Sequence, residues 1–109
     1  MNKKLDTLHH TAIQVENIAE SVTWYTENFN CDVTYQDGSW ALLQFENTAL
    51  ALVLPSQHPY HFAIIKENID KYGQAKTHRD QTRSVYIQDK DHNYIEILKL
   101  SQTESNSIK

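Results

Sequence analysis

With 109 residues, the chain has room for one domain with a modest core and is too short for two domains of ordinary size. Fourteen acidic against ten basic residues and only short apolar stretches argue against nucleic acid and membranes as partners. Its only cysteine, Cys31, excludes an intrachain disulfide, and no apolar segment follows the first four residues to make a signal peptide, so we expect a cytoplasmic protein.

Residues 8–15 alternate between two faces and predict a half-buried strand, with Ile13 on one face and His10 on the other. Asn17 is a predicted helix N-cap, because its side chain can accept a hydrogen bond from the first turn and Glu20 completes a capping box. The helix that follows is predicted to end near residue 30. Its apolar stripe comprises Ile18, Val22, Tyr25 and Phe29.

Three short strands are predicted next, at residues 32–36, 40–45 and 48–54. Turns are expected between them at Asp37-Gly38 and Glu46-Asn47. The first half of the chain therefore reads βαβββ.

The same order of elements begins again after the prolines at positions 55 and 59. A strand is predicted at residues 60–66, and Asn68 is the predicted cap of a second helix. Because Gly73 arrives after barely one turn, this helix is predicted to be much shorter than the first.

Two further strands, residues 83–88 and 94–100, are predicted around a polar turn. Most of one strand is missing between residues 76 and 82, so the second half is a trimmed copy of the first. Residues 101–109 contain one apolar residue in nine and are predicted to be a disordered tail.

A short pattern occurs twice in the chain. The segment HTAIQVENI begins at His10, and HFAIIKENI begins 51 positions later at His61, with six of nine residues identical. Such a repeat predicts two similar modules, which we place at about residues 8–55 and 56–100 of a single domain, residues 1–100. The predicted fold class is α+β, with two βαβββ modules forming one curved mixed sheet and the second module trimmed.

The repeat places its two histidines at equivalent positions, the first residue of equivalent segments. Both are expected to point away from the helix-covered face, so that paired modules bring His10 and His61 face to face. The neighbouring His9 should point to the opposite face. Glu96 is expected to join the pair, because the isoleucines on either side of it suit the helix-covered face.

Two imidazoles and one carboxylate are a ligand set for Fe(II), Mn(II), Zn(II) or Ni(II) that leaves positions open for a substrate. A buried carboxylate is otherwise protonated or ion-paired, and each of these histidines, taken singly, is equally compatible with an ordinary core or surface position. In the first half, the position that corresponds to Glu96, near Leu50, holds no carboxylate. Three protein ligands are therefore expected, not four.

The chain resembles the vicinal oxygen chelate superfamily, also called glyoxalase/bleomycin-resistance/dioxygenase proteins. One segment that carries the resemblance is LHHTAIQV at residues 8–15, followed by residues similar to the family's first helix: Asn17, Ser21, Trp24 and Tyr25. The other is RSVYIQDKDHNYIE at residues 83–96, in which Lys90 and His92 replace the usual proline and glycine.

The resemblance covers residues 8–100 and implies that family's fold. It puts the family's metal-ligand positions on His10, His61 and Glu96, the three residues reached above from strand alternation. It also implies a small-molecule substrate with neighbouring oxygen atoms, and a reaction that uses the metal as a Lewis acid.

The missing carboxylate near Leu50 narrows the reaction that the resemblance implies. Members similar to glyoxalase I usually carry a glutamate there as a proton-transfer base, so its absence argues against isomerase or epimerase chemistry. Extradiol dioxygenases, which are usually longer, and fosfomycin-modifying thiol transferases use two histidines and one glutamate.

Ser84 and Tyr86 match phosphonate-binding residues of those transferases, and Arg83 is expected to help Tyr86 orient an anionic substrate. Ala12 stands where the transferases have threonine, so fosfomycin itself is not expected.

Two alternatives stay open from the sequence. Bleomycin-resistance-like members bind a drug without metal, and Tyr35, Trp40 and Trp24 could line such a groove, although Trp24 is more simply a core residue. A degenerate member that acts only within a complex is the other alternative. In either case, the trimmed second module leaves a sheet edge to cover, which favours a homodimer.

Overall fold

The structure, a computed structural model, describes residues 4–77 and 82–100. Its elements in chain order are β1 (Thr7–Gln14), α1 (Ile18–Asn28), β2 (Asp32–Gln36), β3 (Trp40–Gln44), β4 (Ala49–Val53), β5 (His61–Ile65), a 3₁₀ helix (Ile69–Tyr72), β6 (Lys76–Thr77), β7 (Arg83–Gln88) and β8 (Tyr94–Lys99). Within these ranges there are eight strands. β2-β3-β4-β1 are neighbours in one group and β8-β7-β6 in another, with both parallel and antiparallel pairs. The predicted α+β fold class, with a trimmed second module, is confirmed.

Residue contacts divide the described chain into two compact units, residues 9–62 and residues 63–100 with 4–8. The division falls inside β5, and the predicted module boundary near residue 55 stays a prediction. The predicted disordered tail lies outside the described residues. Within the described ranges, no helix reaches the length and apolar character that a membrane crossing requires.

In the unit formed by residues 9–62, β4 lies between β1 and β3. β1 runs parallel to β4, with His10 opposite Ala49 and Gln14 opposite Val53. β3 pairs antiparallel with both β4 and β2. A parallel pair cannot be joined by a tight turn, and α1 lies within the crossover between β1 and β4.

The N-terminus of α1 has the predicted cap. The Asn17 side-chain oxygen accepts a hydrogen bond from the Glu20 backbone N–H at 2.9 Å, and Asn17 itself has extended backbone angles. The helix ends at Asn28, slightly earlier than predicted, and the Phe29 N–H closes the last turn on the Tyr25 carbonyl at 2.9 Å.

The buried stripe of α1 is narrower than predicted. Ile18 and Val22 are buried, whereas Phe29 is 49 % exposed and Trp24 is 53 % exposed. The expectation that Trp24 is a core residue is therefore wrong. Two residues correspond to about 200° around a helix, so Trp24 lies nearly opposite Val22. The ring of Trp24 makes edge-to-face contacts with Tyr25 and Phe29.

The two faces of this part of the sheet have separate apolar clusters. On the helix side, the buried members are Ile18, Val22, Ala41, Leu43 and Leu52, and Ile13 packs against them. On the other side, Trp40 and Leu42 pack against Ala12, Ala51 and Val53. Because Ala12 is on this second face, the alternation of β1 places His10 there too, away from α1.

The unit that contains residues 63–100 is built around the antiparallel pair β7 and β8, and the two residues of β6 extend it beyond β7. The 3₁₀ helix buries Ile69. Asn68 precedes this helix as predicted but makes no capping side-chain hydrogen bond, so its predicted role as a cap is wrong. Its backbone angles (φ −93°, ψ 68°) differ from the extended angles of Asn17 and do not direct the side chain at the first turn.

Gly73 ends the short helix as predicted. Its φ of 139° and ψ of −173° lie in a region that only glycine adopts readily. A Cβ added there would approach the Val85 side chain to 3.2 Å, and Val85 lies opposite Ile97 in the β7–β8 ladder. The 3₁₀ helix therefore packs against the face of β7 and β8 that carries the isoleucines.

The turn between β7 and β8 is organised by Asp89. Its carboxylate accepts hydrogen bonds from the Asp91 and Asn93 backbone amides at 2.8 and 2.9 Å and from the Asn93 side chain. The Asn93 side chain, followed by these amides, holds the pKa of Asp89 below its usual value. His92 has a left-handed φ of 69° in this turn, at the position where the family usually has glycine.

We expect His92→Gly to raise the free energy of unfolding by about 0.5–1 kcal/mol, because glycine adopts this backbone region without the penalty of a Cβ. The exposed side chain of His92 makes the loss of other contacts small. Urea denaturation of the two proteins measures the difference, and a less stable variant would show that the imidazole stabilises the turn.

Candidate metal centre

The predicted ligands His10 and His61 lie together in the unit formed by residues 9–62. Their imidazole rings are nearly perpendicular, with centroids 5.7 Å apart. His10 is partly buried, and His61 is only 7 % exposed. The repeated pattern thus brings two imidazoles to one place.

His61 has a defined tautomer. Its Nδ1 lies 2.8 Å from the carbonyl oxygen of Pro59, and because a carbonyl can only accept, Nδ1 carries the proton and donates it. The second ring nitrogen, Nε2, then keeps its lone pair. Metal-binding histidines commonly have this arrangement, in which a backbone carbonyl fixes the nitrogen that does not bind.

The segment that supplies this carbonyl is itself held in place. The Gln14 side chain donates to the His58 carbonyl at 2.9 Å, and the backbone amides of residues 57 and 58 donate to the Leu54 carbonyl.

The ring of His58 is also near, with its centroid 6.2 Å from that of His61. Our interpretation of the sequence missed His58, whose only signal is its place three residues before His61.

His9 does not lie apart from His10 as strand alternation predicts. The Nδ1 atoms of the two rings are 2.8 Å apart, within hydrogen-bonding distance, and the ring centroids are 5.1 Å apart. The backbone period fixes the direction of the Cα–Cβ bond only, and side-chain rotation has brought the two rings together.

Glu96 lies in the unit that contains residues 63–100, on β8. It is 8 % exposed, a low value for a carboxylate. Leu98 and Leu100, the next residues on the same face of the chain, pack against Ala63 of β5. Glu96 therefore lies on the face of its unit that packs against Ala63.

Tyr86 lies directly opposite Glu96 in the β7–β8 ladder, so the two side chains share a face. Burial, and to a smaller extent the negative charge of Glu96, raises the pKa of Tyr86 far above its usual value. The hydroxyl therefore keeps its proton at neutral pH. It can serve there as a hydrogen-bond donor, and it cannot act as a base.

Ser84 and Arg83 have different positions. Ser84 is buried and lies opposite Leu98, on the same face as Tyr86. Arg83, its neighbour along β7, points to the other face, where its guanidinium lies 3.2 Å from the Asp70 carboxylate. The structure thus brings Ser84 together with Tyr86 and does not bring Arg83 to them.

The first half has no carboxylate that corresponds to Glu96, in agreement with the sequence. On the face of His10, β4 presents Ala49, Ala51 and Val53, all of them buried. Leu50, where the equivalent position was expected, instead packs into the cluster beneath α1. The position equivalent to Glu96 is therefore one residue away from the predicted one, and the alanines there supply neither a ligand nor a base.

A comparison with protein families assigns the chain to one superfamily. A family model described as Glyoxalase/Bleomycin resistance protein/Dioxygenase superfamily matches residues 7–97. Among curated proteins, none matches the chain.

Two solved structures have a similar fold. The methylmalonyl-CoA epimerase from Mycobacterium tuberculosis is 16 % identical, with a TM-score of 0.72 over 91 % of each chain. A glyoxalase/bleomycin resistance protein/dioxygenase superfamily member from Vibrio splendidus 12B01 is 10 % identical, with a TM-score of 0.66 over 87 % of this chain and 99 % of the other. At these identities the likeness concerns the fold alone.

Proposed function

Because the chain belongs to the glyoxalase/bleomycin resistance protein/dioxygenase superfamily, we propose that it is a divalent-metal-dependent enzyme acting on a small substrate with neighbouring oxygen atoms. His10, His61 and Glu96 hold the cation, which is Fe, Mn, Zn or Ni. The reaction is of the dioxygenase or thiol-transferase kind rather than that of glyoxalase I.

One observation carries the proposal. The repeated pattern places the imidazoles of His10 and His61 together, with ring centroids 5.7 Å apart. Glu96, the third residue of the proposed ligand set, is a carboxylate only 8 % exposed on β8.

The chemistry of the donors also fits a metal. The hydrogen bond from His61 Nδ1 to the Pro59 carbonyl leaves Nε2 unprotonated, which metal binding requires. Glu96 supplies a carboxylate that is only 8 % exposed, and carboxylates are ligands for each of the proposed cations. When bound, the cation supplies a Lewis acid that polarises a substrate oxygen.

Tyr86 and Ser84 bind the substrate in this proposal. Both lie on the face of Glu96, and the raised pKa of Tyr86 keeps its phenol protonated. The two hydroxyls donate hydrogen bonds to an anionic oxygen of the substrate and orient it. Arg83 has no part in this step, because it points to the opposite face of β7 and pairs with Asp70.

The alanines of β4 support the choice of reaction. Removal of a proton from carbon, as in isomerases and epimerases, needs a base beside the substrate. Ala49 and Ala51 occupy the positions where such a carboxylate would lie, and Tyr86 keeps its own proton. A reaction in which a second reactant, such as dioxygen or a thiolate, attacks a bound substrate removes no proton from carbon and needs no carboxylate base at these positions.

We extend the proposal to a homodimer in the cytoplasm. Among the described residues, β6 pairs with only Arg83 and Ser84 of β7, so the rest of this edge can accept a partner. Cys31 is a free thiol, which suits a reducing compartment.

The alternative is metal-independent binding of a drug-like molecule. It is favoured by the stacked rings of Tyr35 and Trp40, 4.3 Å apart, because Trp40 lies on the same face of the sheet as Ala12 and hence His10. The exposed Trp24 on α1 does not contribute to this aromatic pair.

A chelating probe separates the two functions. Acetohydroxamate offers two neighbouring oxygens, and the matched probe acetamide lacks one of them. We expect calorimetry to detect acetohydroxamate binding to protein loaded with one equivalent of Zn(II), and none to the metal-free protein or with acetamide. Failure to take up any of the four metals, or equal binding with and without metal, would contradict the proposal.

A further inference from the structure

The contact between His9 and His10 constrains the chemistry of His10. A hydrogen bond between two Nδ1 atoms 2.8 Å apart requires that one ring carries the proton and the other offers a lone pair. If His9 donates, neutral His10 keeps its proton on Nε2 and cannot bind a metal through that atom. If His10 donates, its Nε2 carries the lone pair that metal binding requires.

His61 shows which arrangement suits a ligand, because its Nδ1 donates to the Pro59 carbonyl. The imidazole of His9, with its Nδ1 2.8 Å from that of His10, is placed to take the corresponding role for His10. The two rings are almost perpendicular, at 79°, so the N–H bond of one ring can be directed towards the lone pair of the other.

We propose that His9 is a positioning residue that accepts the Nδ1–H of His10 and so fixes His10 Nε2 as the metal-binding atom. This inference rests on the proposed function. His9 itself is not one of the three proposed ligands. Hydrogen-bond partners of this kind orient the ligand and increase its basicity, and their loss typically weakens metal binding about 10–100-fold.

The tautomer of His10 tests the inference without metal. Long-range ¹H–¹⁵N NMR of the metal-free protein, at a pH where the imidazoles are neutral, reports which ring nitrogen carries the proton. We expect Nδ1–H in the wild type and Nε2–H, the form that a histidine side chain prefers in water, in His9→Ala. In His9→Gln, the amide oxygen can replace the acceptor and should restore Nδ1–H. Nε2–H in the wild type, or Nδ1–H retained in His9→Ala, would overturn the inference.

Metal affinity provides the second readout. We expect His9→Ala to weaken Zn(II) binding about 10-fold or more, with most of the loss recovered in His9→Gln. His92→Ala, which removes an exposed histidine from a turn, is the matched control and should bind as the wild type does. A wild type that binds no metal would contradict the proposed function and leave the NMR result to decide the role of His9. Equal affinity of the wild type and His9→Ala would contradict this inference alone.

Discussion

In the His61→Ala variant, we expect the affinity for Zn(II) to fall by about 100-fold or more while the protein stays folded. The loss should be at least as large as the 10–100-fold effect of removing a hydrogen-bond partner of a ligand, because a ligand atom itself is removed. The variant also loses the hydrogen bond to Pro59, which is worth about 1 kcal/mol. That loss is small beside the stability of about 5–15 kcal/mol typical of a domain.

Competition with a chromophoric chelator measures this affinity, and circular dichroism checks the fold. His58→Ala is an informative companion variant. The ring centroid of His58 lies 6.2 Å from that of His61, but His58 is not one of the proposed ligands. A His61→Ala protein that binds Zn(II) as tightly as the wild type would exclude His61 as a ligand. Loss of binding in His58→Ala alone would move the site towards the segment before β5.

The Glu96→Gln variant should separate stability from metal binding. Glutamine keeps nearly the same shape at this buried position and can still donate and accept hydrogen bonds. We therefore expect the metal-free variant to stay folded, with a free energy of unfolding within about 1.5 kcal/mol of the wild type. At a metal concentration 1,000 times its dissociation constant, the wild type should gain about 4 kcal/mol, and the variant should gain little at the same concentration.

Denaturation of both proteins in urea, with and without Zn(II), gives the four free energies that this comparison needs. The metal-induced gain in the free energy of unfolding of the wild type, minus that of the variant, isolates the contribution of the carboxylate to metal binding. An equal gain in both proteins would show that the carboxylate does not bind the metal. A metal-free variant much less stable than the wild type would show instead that Glu96 has a structural ion pair or hydrogen bond that the fold requires.

Much of the candidate site could be predicted from sequence because strand alternation is local. A period of two residues places His10 with Ala12, away from α1, whatever the rest of the chain does. The same logic places Glu96 on the face opposite Ile97. The helix cap at Asn17 could also be predicted, because it depends only on Asn17 and on Glu20, three positions further along the chain.

Side-chain partners could not be predicted in this way. Arg83 was expected to act with Tyr86, although residues three positions apart on a strand point to opposite faces. Its ion-pair partner, Asp70 of the 3₁₀ helix, is 13 residues away in sequence, and no strand pattern indicates this pair. The contact of His9 with His10 depends on side-chain rotation, which sequence patterns do not encode.

The trimmed second module shows another limit of sequence patterns. Asn68 has the same place in the repeat as Asn17, but a four-residue 3₁₀ helix follows it and its side chain makes no capping bond. Identical residues in a repeat therefore do not guarantee identical local structure, because the elements that follow them decide the backbone geometry.

The central claim is that two imidazoles and one carboxylate bind a single divalent cation. X-ray absorption spectroscopy of the protein loaded with one equivalent of Zn(II) tests it most directly, since the fine structure counts imidazole ligands. We predict two imidazoles at about 2.0–2.1 Å, with oxygen ligands completing the shell. Three or more imidazoles would bring His9 or His58 into the site, and a single imidazole or none would contradict the paired-histidine centre altogether.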